Sequence, residues 1–294
     1  MIPDLEWPAR LAAAALALGV VALHGWRAAS KDRREYRRFR RYRSTVRRQA
    51  AMRRWLLESF LLLGGSAVVL IVLVHPVVDP LLRAAQALPG VGAVRDALAS
   101  GFGIGALAGA VLGGVAVTVI GVRSARREGG VVMIGDIAAL LPRNRPELAL
   151  GAGLSINAGV VEELLVRLAM PALLVLVTGE PLSAFLLSAL LFGLLHAYQG
   201  PVGVAGATAI GLVLTVVYVL SGSILLVIAL HVLLDLRTLV LIPAAVYGVH
   251  RVPGSVRMPP VLRPLPPAAD AAADAAVDAP AGAARPDDPP APTP

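Results

Sequence analysis

The chain has 294 residues, 57% of them apolar, with a mean hydropathy of +0.74 and a formal charge of +8. Soluble domains are nearer about 45–50% apolar, so this composition excludes an ordinary soluble protein and predicts an integral membrane protein. The absence of cysteine excludes disulfides, thiolate metal sites and a cysteine nucleophile. Because 12 of the 27 basic residues lie between positions 31 and 54, the charge reflects one segment and does not indicate a nucleic-acid partner.

Successive apolar runs of the length that crosses a bilayer extend through most of the chain. Backbone facing lipid must satisfy its own hydrogen bonds, so these runs are expected to be helices. The predicted fold is all-α, a polytopic bundle of about seven transmembrane helices. The predicted spans are 8–26, 55–78, 101–122, 148–178, 182–198, 202–220 and 224–247.

The arginine-rich segment 31–54 follows the first predicted span. Tyr36, Phe39 and Val46 recur in it at helical spacing among arginines, together with Tyr42 or Arg43. This pattern is typical of a basic amphipathic helix on a membrane surface, where anionic lipids are the expected partner. A solvated segment that only sets the topology is the alternative.

The distribution of basic loops predicts the orientation. Segments 31–54 and 123–147 are net basic, and the C-terminal tail begins with Arg251, Arg257 and Arg263, whereas 79–100 is balanced. We therefore expect an external N-terminus and a cytoplasmic C-terminus, in a bacterial-type plasma membrane. The predicted regions are an N-terminal membrane region (1–147), a membrane core (148–247) and a disordered Pro/Ala-rich cytoplasmic tail (248–294).

Glycines suggest two local features. In the third predicted span, glycines four residues apart share one helix face and predict tight packing against a neighbour. In the fourth span, early small and polar residues before Val160 predict a break or a re-entrant start. The residues are Gly101, Gly105, Gly109 and Gly113 in the third span, and Gly151, Gly153 and Asn157 in the fourth.

Two carboxylates and a guanidinium lie in the middle of the fourth span. Ionisable groups at membrane depth usually face a protein interior and mark a functional path. Glu163 and Arg167 are four residues apart and are neighbours on one helix face, whereas Glu162 points about 100° away. We expect Arg167 to hold Glu163 as a structural pair. Glu162 would then be free to accept a proton from water.

Two later apolar segments each contain a histidine. The four-residue step that pairs Glu163 with Arg167 also aligns Phe192 with His196, and His231 with Asp235. Glutamate and histidine together can activate water and stabilise an oxyanion, which peptide hydrolysis requires. Zinc bound by Glu162, His196 and His231 is the competing chemistry. No His-Glu-x-x-His sequence is present, so a reaction without a cofactor is favoured and zinc stays possible.

Glu162-Glu163-x-x-x-Arg167, Phe192-x-x-x-His196 and His231-x-x-x-Asp235, in this order, resemble the three motifs of the CPBP family of CAAX proteases and bacteriocin-processing proteins. The resemblance covers about 148–247. It implies an intramembrane endopeptidase in which Glu162 activates water with the help of His196, while His231 stabilises the oxyanion. The third motif of the prenyl endopeptidases ends in asparagine, whereas this chain has Asp235. The implied substrate is a membrane-associated peptide or protein.

Two other functions use the same buried charges. One is a family member without catalysis that acts as a membrane scaffold or immunity-type protein. The other is a proton- or ion-coupled transporter, which the absence of an evident internal repeat disfavours.

Overall fold

The structure is a computed structural model that describes residues 3, 5–128, 131, 133 and 135–254. All regular elements in this part of the chain are helices, so the predicted all-α fold is confirmed. In chain order they are α1 (Trp7–Phe39), α2 (Thr45–Gln86), α3 (Val91–Ala99), α4 (Gly101–Glu128), α5 (145–178), α6 (Pro181–Leu195), α7 (Gly200–Ser221) and α8 (Ile224–Tyr247). Short 3₁₀ turns occur at Ala138–Leu140, Ala197–Gln199 and Val249–Arg251.

Five helices in the described residues are long and apolar enough to cross a membrane. These five are α1, α2, α7 with its preceding 3₁₀ turn, α8, and the part of α4 from Gly103 to Arg127. The helix α6 has only 15 residues, and α5, which carries the paired glutamates, is not one of the five. The membrane bundle is therefore confirmed, whereas the predicted number of seven spans is not.

The helix α5 continues through Val160, so the predicted break before that residue is wrong. Gly159 marks a close contact between helices instead. A Cβ at Gly159 would lie 2.5 Å from Cγ2 of Val232 and 3.1 Å from its backbone nitrogen. The missing side chain thus lets α8 approach α5 closely. The irregularity in α5 comes later, as a π-helical turn at Leu164–Ala169.

A buried polar cluster anchors the start of α5 to α2. The Asn144 side chain accepts a hydrogen bond from the backbone nitrogen of Glu147 and caps the helix. The Glu147 carboxylate lies 3.1 Å from Nε of Arg48 and also accepts from Thr45, and both members of the ion pair are fully buried. Burial lowers the pKa of the neighbouring Arg143 to about 10. The cluster fixes α5 relative to α2.

The aromatic residues of segment 31–54 face the protein, which corrects the prediction that they lie against a membrane surface. Tyr36 and Phe39 are buried, and the Phe39 ring packs 4.7 Å from the Trp55 ring, centroid to centroid. The Arg48 guanidinium lies 4.2 Å above the same Phe39 ring. Val46 is exposed. Helical spacing identified the buried Tyr36 and Phe39 but not Val46, because one helix ends at Phe39 and the next begins at Thr45. Contact with anionic lipids stays a prediction.

The predicted glycine face of α4 has no neighbour in the described part of the chain. A Cβ at Gly101, Gly105, Gly109 or Gly113 would meet no atom within 4 Å. The prediction of tight packing is therefore wrong for contacts within the described residues. The four-residue spacing does place these glycines on one helix face, but spacing alone does not show whether another helix packs against that face.

The chain after α8 turns back onto the start of α5. Val249 is buried, and the backbone nitrogen of Arg145 donates to the carbonyl oxygen of Val252 at 3.1 Å. Residues 248–254 are thus ordered against the core. The rest of the predicted disordered tail, 255–294, lies outside the described residues.

Candidate active site

Glu163 is the centre of a buried chain of charged side chains. Its Oε2 lies 3.0 Å from Nε of Arg167, and its Oε1 lies 2.7 Å from Nδ1 of His231. All three residues are buried, and His231 comes from α8, which packs closely on α5 at Gly159. The structure therefore places Glu163 between two nitrogen partners, both of which sequence spacing had singled out.

Glu162 points in a different direction from Glu163, as consecutive helical residues do. It lines a cavity of about 290 Å³, whose wall does not include Glu163, Arg167 or His231. Its Oε2 atom is buried and has no hydrogen-bond partner among the described residues. Two adjacent glutamates thus have different surroundings. One is held in an ion-pair chain, and the other faces open space.

His196 lies at the carboxyl end of α6 and lines the same cavity. Its Nδ1 is 2.9 Å from the carbonyl oxygen of Phe192. A carbonyl oxygen only accepts, so the Nδ1 atom must carry the proton, and Nε2 of the neutral ring holds the free lone pair. The hydrogen bond thereby assigns the tautomer and orients the ring.

The Phe192 ring joins the two histidines. Its centroid lies 4.8 Å from the His196 ring and 5.7 Å from the His231 ring. The Arg167 guanidinium lies 5.1 Å from the same ring. Phe192 is buried, so it separates the charged chain from the cavity while packing against both.

Asp235 connects His231 to the cavity. Its Oδ2 lies 3.8 Å from Nε2 of His231, one helical turn earlier, and Asp235 itself lines the cavity. With Nδ1 of His231 donating to Glu163, a favourable contact with Asp235 requires a proton on Nε2 or on the carboxyl group. At 3.8 Å the contact is electrostatic and is not a hydrogen bond.

Much of the opposite cavity wall comes from α1 and α2, in a region that sequence reasoning gave no place in the site. We call this part the N-terminal wall: His24, Arg27, Tyr36, Trp55 and Glu58. Glu58 accepts hydrogen bonds from Lys31 at 2.5 Å and Arg27 at 3.3 Å and lies 3.9 Å from Nε of Arg54. The sequence shows charged residues near the ends of apolar helices. It does not show which of them form pairs, because the partners are far apart in the chain.

One hydrogen bond fixes the N-terminal wall relative to the glutamates. The Asn157 amide, five residues before Glu162, donates to the Ser59 hydroxyl of α2 at 2.9 Å. Both residues line the cavity. Asn157 is therefore a link between helices and not part of a helix break.

The predicted zinc ligands are not arranged as a metal site. No group of three or more His, Cys, Asp or Glu side chains in the described residues is disposed to hold a metal ion. His231 directs Nδ1 to Glu163 and does not line the cavity, whereas Glu162 and His196 do. Zinc bound by Glu162, His196 and His231 stays an alternative that the described residues do not show preformed.

Buried glutamate and histidine side chains from separate helices, meeting at one cavity in an apolar bundle, are typical of the hydrolytic sites of intramembrane proteases. Residues 144–237 match the family model described as type II CAAX prenyl endopeptidase Rce1-like. The match confirms the predicted resemblance over these residues. No curated protein and no solved structure matches the chain. The match contains all three motifs but not the N-terminal wall.

Proposed function

We propose that the protein is an intramembrane endopeptidase in which Glu162 activates the water that attacks the peptide bond. The single observation that carries this proposal is the different placement of the two glutamates. Glu163 lies within ion-pair distance of Arg167 and His231 and does not line the cavity, whereas Glu162 does line it. A general base must be able to reach the proton that it removes.

His196 supports the base. Its Nε2 lone pair is free because Nδ1 donates to Phe192, so Nε2 can accept a hydrogen bond from water in the shared cavity. Two acceptors on one water molecule orient its oxygen lone pair towards a substrate carbonyl carbon. His196 therefore acts as a second acceptor for the nucleophile.

His231 and Asp235 act on the carbonyl oxygen of the substrate. A proton on Nε2 of His231 or on the Asp235 carboxyl group is the donor, Asp235 lines the cavity, and Glu163 holds the imidazole in place through Nδ1. A donor at this position stabilises the negative charge on the carbonyl oxygen as the water adds. Arg167 keeps Glu163 in position and does not contact the reacting atoms.

The reaction balances without any other reactant. Glu162 takes one proton from water, the hydroxide oxygen bonds to the carbonyl carbon, and the carbonyl π electrons move onto its oxygen. When the carbon–nitrogen bond breaks, the electrons return from that oxygen, and the proton held by Glu162 passes to the leaving nitrogen. The products are a carboxylate and an amine.

The family description supports a CAAX-type substrate, a membrane-bound protein cut near a prenylated C-terminus. The cavity combines apolar side chains with the catalytic carboxylates, as a lipid-bearing peptide requires. The test uses purified protein in detergent with three quenched fluorescent peptides. These are a farnesylated peptide with a C-terminal CAAX sequence, its unprenylated counterpart, and an unrelated transmembrane peptide.

We expect cleavage of the farnesylated peptide. We also expect Glu162→Gln and His196→Ala each to lower kcat by about 100-fold or more, because each removes a group that acts on the water. Glu180→Gln and His75→Ala make the same changes at exposed positions outside the cavity and should keep full activity. Cleavage by Glu162→Gln at the wild-type rate would end the proposal, as would a wild-type protein that cleaves none of the three peptides.

A further inference from the structure

We infer that the Tyr198 hydroxyl is an additional donor to the substrate carbonyl oxygen, so that Tyr198 is a catalytic residue. This inference rests on the proposed function. Tyr198 lies outside the three motifs, but it lines the cavity with Glu162, His196 and Asp235. Its side chain is thus on the wall where negative charge would develop during hydrolysis.

The backbone around Tyr198 is held firmly. Tyr198 lies in the 3₁₀ turn Ala197–Gln199 directly after His196, and the Gln199 nitrogen donates to the His196 carbonyl at 2.9 Å. The Gln199 carbonyl in turn accepts from the Asp136 nitrogen at 3.0 Å. At Gly200 the chain turns into α7 with a φ of +81°, which glycine adopts without steric cost. The turn therefore fixes the position of the phenol.

The Tyr198 ring is also fixed by aromatic contacts on both sides. It stacks on the His196 ring with centroids 6.1 Å apart and planes at 26°, and it meets the edge of the Tyr36 ring at 5.6 Å. A donor that is already oriented before the reaction stabilises a transition state better than one that must reorganise. The packing of Tyr198 meets this requirement.

The hydrogen bonds of Tyr198 leave its proton available. Gln199 donates from Nε2 to the phenol oxygen at 3.0 Å, which uses that oxygen as an acceptor. No described residue accepts the phenol proton in return. An accepted hydrogen bond also polarises the O–H group and strengthens it as a donor. The free proton can therefore be donated to a carbonyl oxygen in the cavity.

The third motif explains why such a donor is needed. Asp235 stands where the resembling endopeptidases have asparagine, and a carboxylate, unlike an amide, has no permanent N–H group to donate. His231 uses Nδ1 for Glu163 and is outside the cavity lining. A neutral phenol in the same cavity supplies a donor that does not depend on a proton at Nε2 of His231 or on Asp235.

The experiment compares Tyr198→Phe with Tyr218→Phe, which removes a buried phenol from α7 outside the cavity. With the farnesylated peptide, we expect Tyr198→Phe to lower kcat by about 100-fold with little change in KM, as loss of one oxyanion donor does. Tyr218→Phe should keep the wild-type kcat. Gln199→Met should lower kcat in the same direction but less, because it removes only the polarising bond.

Two inhibitors separate catalysis from simple packing. A phosphonate analogue of the peptide carries a tetrahedral anionic centre, whereas a reduced-amide analogue has no carbonyl oxygen. Tyr198→Phe should weaken binding of the phosphonate at least 10-fold and leave the reduced amide unchanged. A wild-type kcat, or equal weakening of both analogues, would overturn the role of Tyr198. A wild-type enzyme that cleaves no peptide would instead contradict the proposed function.

Discussion

The Nδ1 atom of His231 lies 2.7 Å from Oε1 of Glu163, and this contact separates the tasks of two adjacent glutamates. Glu163 also pairs with Arg167, and all three side chains are buried. Because Glu163 is engaged on both oxygens, its charge stabilises the helix pair α5 and α8. Glu162, one residue earlier, faces the cavity and has no such partners in the described chain.

Glu163→Gln should therefore destabilise the protein, whereas Glu162→Gln should not. Loss of the Glu163 charge leaves Arg167 buried without its counterion, which typically costs about 3–5 kcal/mol. Glu162→Gln replaces a desolvated carboxylate by a neutral isostere, so its free energy of unfolding should equal or exceed that of the wild type. Thermal unfolding of both variants in the same detergent measures the difference. Equal losses of stability would contradict the division of tasks.

Gly159→Ala should reduce both stability and activity. The new methyl group would lie 2.5 Å from Cγ2 of Val232 and 3.1 Å from its nitrogen, so α8 must move away from α5. That movement would lengthen the contact between Glu163 and His231. We expect a loss of about 1–3 kcal/mol in the free energy of unfolding.

Gly153→Ala is the matched control on the same helix. A Cβ at Gly153 would meet only Leu56, at 3.8 Å, which is an ordinary contact. This variant should keep wild-type stability and kcat. Adding Val232→Ala to Gly159→Ala should restore part of the loss, because it removes the closest clashing atom. Failure of Gly159→Ala to differ from Gly153→Ala would show that the helices tolerate separation.

The spacing of the sequence predicted the local pairs correctly, because positions four apart on a helix must be neighbours. Glu163 with Arg167, and His231 with Asp235, are found within ion-pair distance. The contact of Glu163 with His231 spans 68 residues and depends on how α5 packs on α8. Periodicity within one helix carries no information on that packing, so the sequence could not assign it.

The place of the N-terminal wall in the cavity also could not be predicted from the sequence. Glu58 has the charge and position of an interfacial residue, and from the sequence it received no role in the site. Its place in the cavity arises because α1 and α2 fold back over α5, with Ser59 bonded to Asn157.

Likewise, Tyr198 is two residues beyond a motif histidine, but only the 3₁₀ turn places it in the cavity. Turn geometry of this kind is not encoded in apolar periodicity.

Asp235→Asn should keep at least half of the wild-type kcat on the farnesylated peptide. The amide has the same shape and supplies a permanent donor beside His231, whereas the carboxyl group donates only when it is protonated. Peptide cleavage measured across neutral pH tests this expectation. If kcat fell 100-fold in a protein of normal stability, the Asp235 carboxylate would instead be required to orient His231.

The same variant tests Tyr198 independently. If Tyr198 and the side chain at 235 donate to one oxygen, their effects should not be additive. Tyr198→Phe should then lower kcat by a smaller factor in the Asp235→Asn protein than in the wild type. Full additivity would indicate that the two residues act on different atoms.

Arg48→Met should destabilise the protein by about 3–5 kcal/mol, because it leaves the Glu147 carboxylate buried without its ion-pair partner. The double variant Arg48→Met and Glu147→Gln removes both charges and keeps acceptor and donor atoms near Thr45 and Asn144. Its loss should therefore be smaller than that of Arg48→Met alone. Chemical unfolding of the wild type and of the single and double variants in detergent measures the interaction. If the double variant were less stable than Arg48→Met, the unpaired Glu147 charge would not be the cause of the loss of stability in the single variant.

Chelation should leave cleavage of the farnesylated peptide unchanged. Glu162 and His196 face the cavity, but His231 directs Nδ1 to Glu163 and no third ligand completes a metal site in the described residues. In the proposed mechanism the Glu162 carboxylate activates the water, so removal of metal ions should not change the rate. The test is incubation with 1,10-phenanthroline and with EDTA, followed by measurement of kcat and of bound metal. A loss of activity that zinc restores would require these three side chains to rearrange around an ion, and it would move the role of Glu162 from general base to ligand.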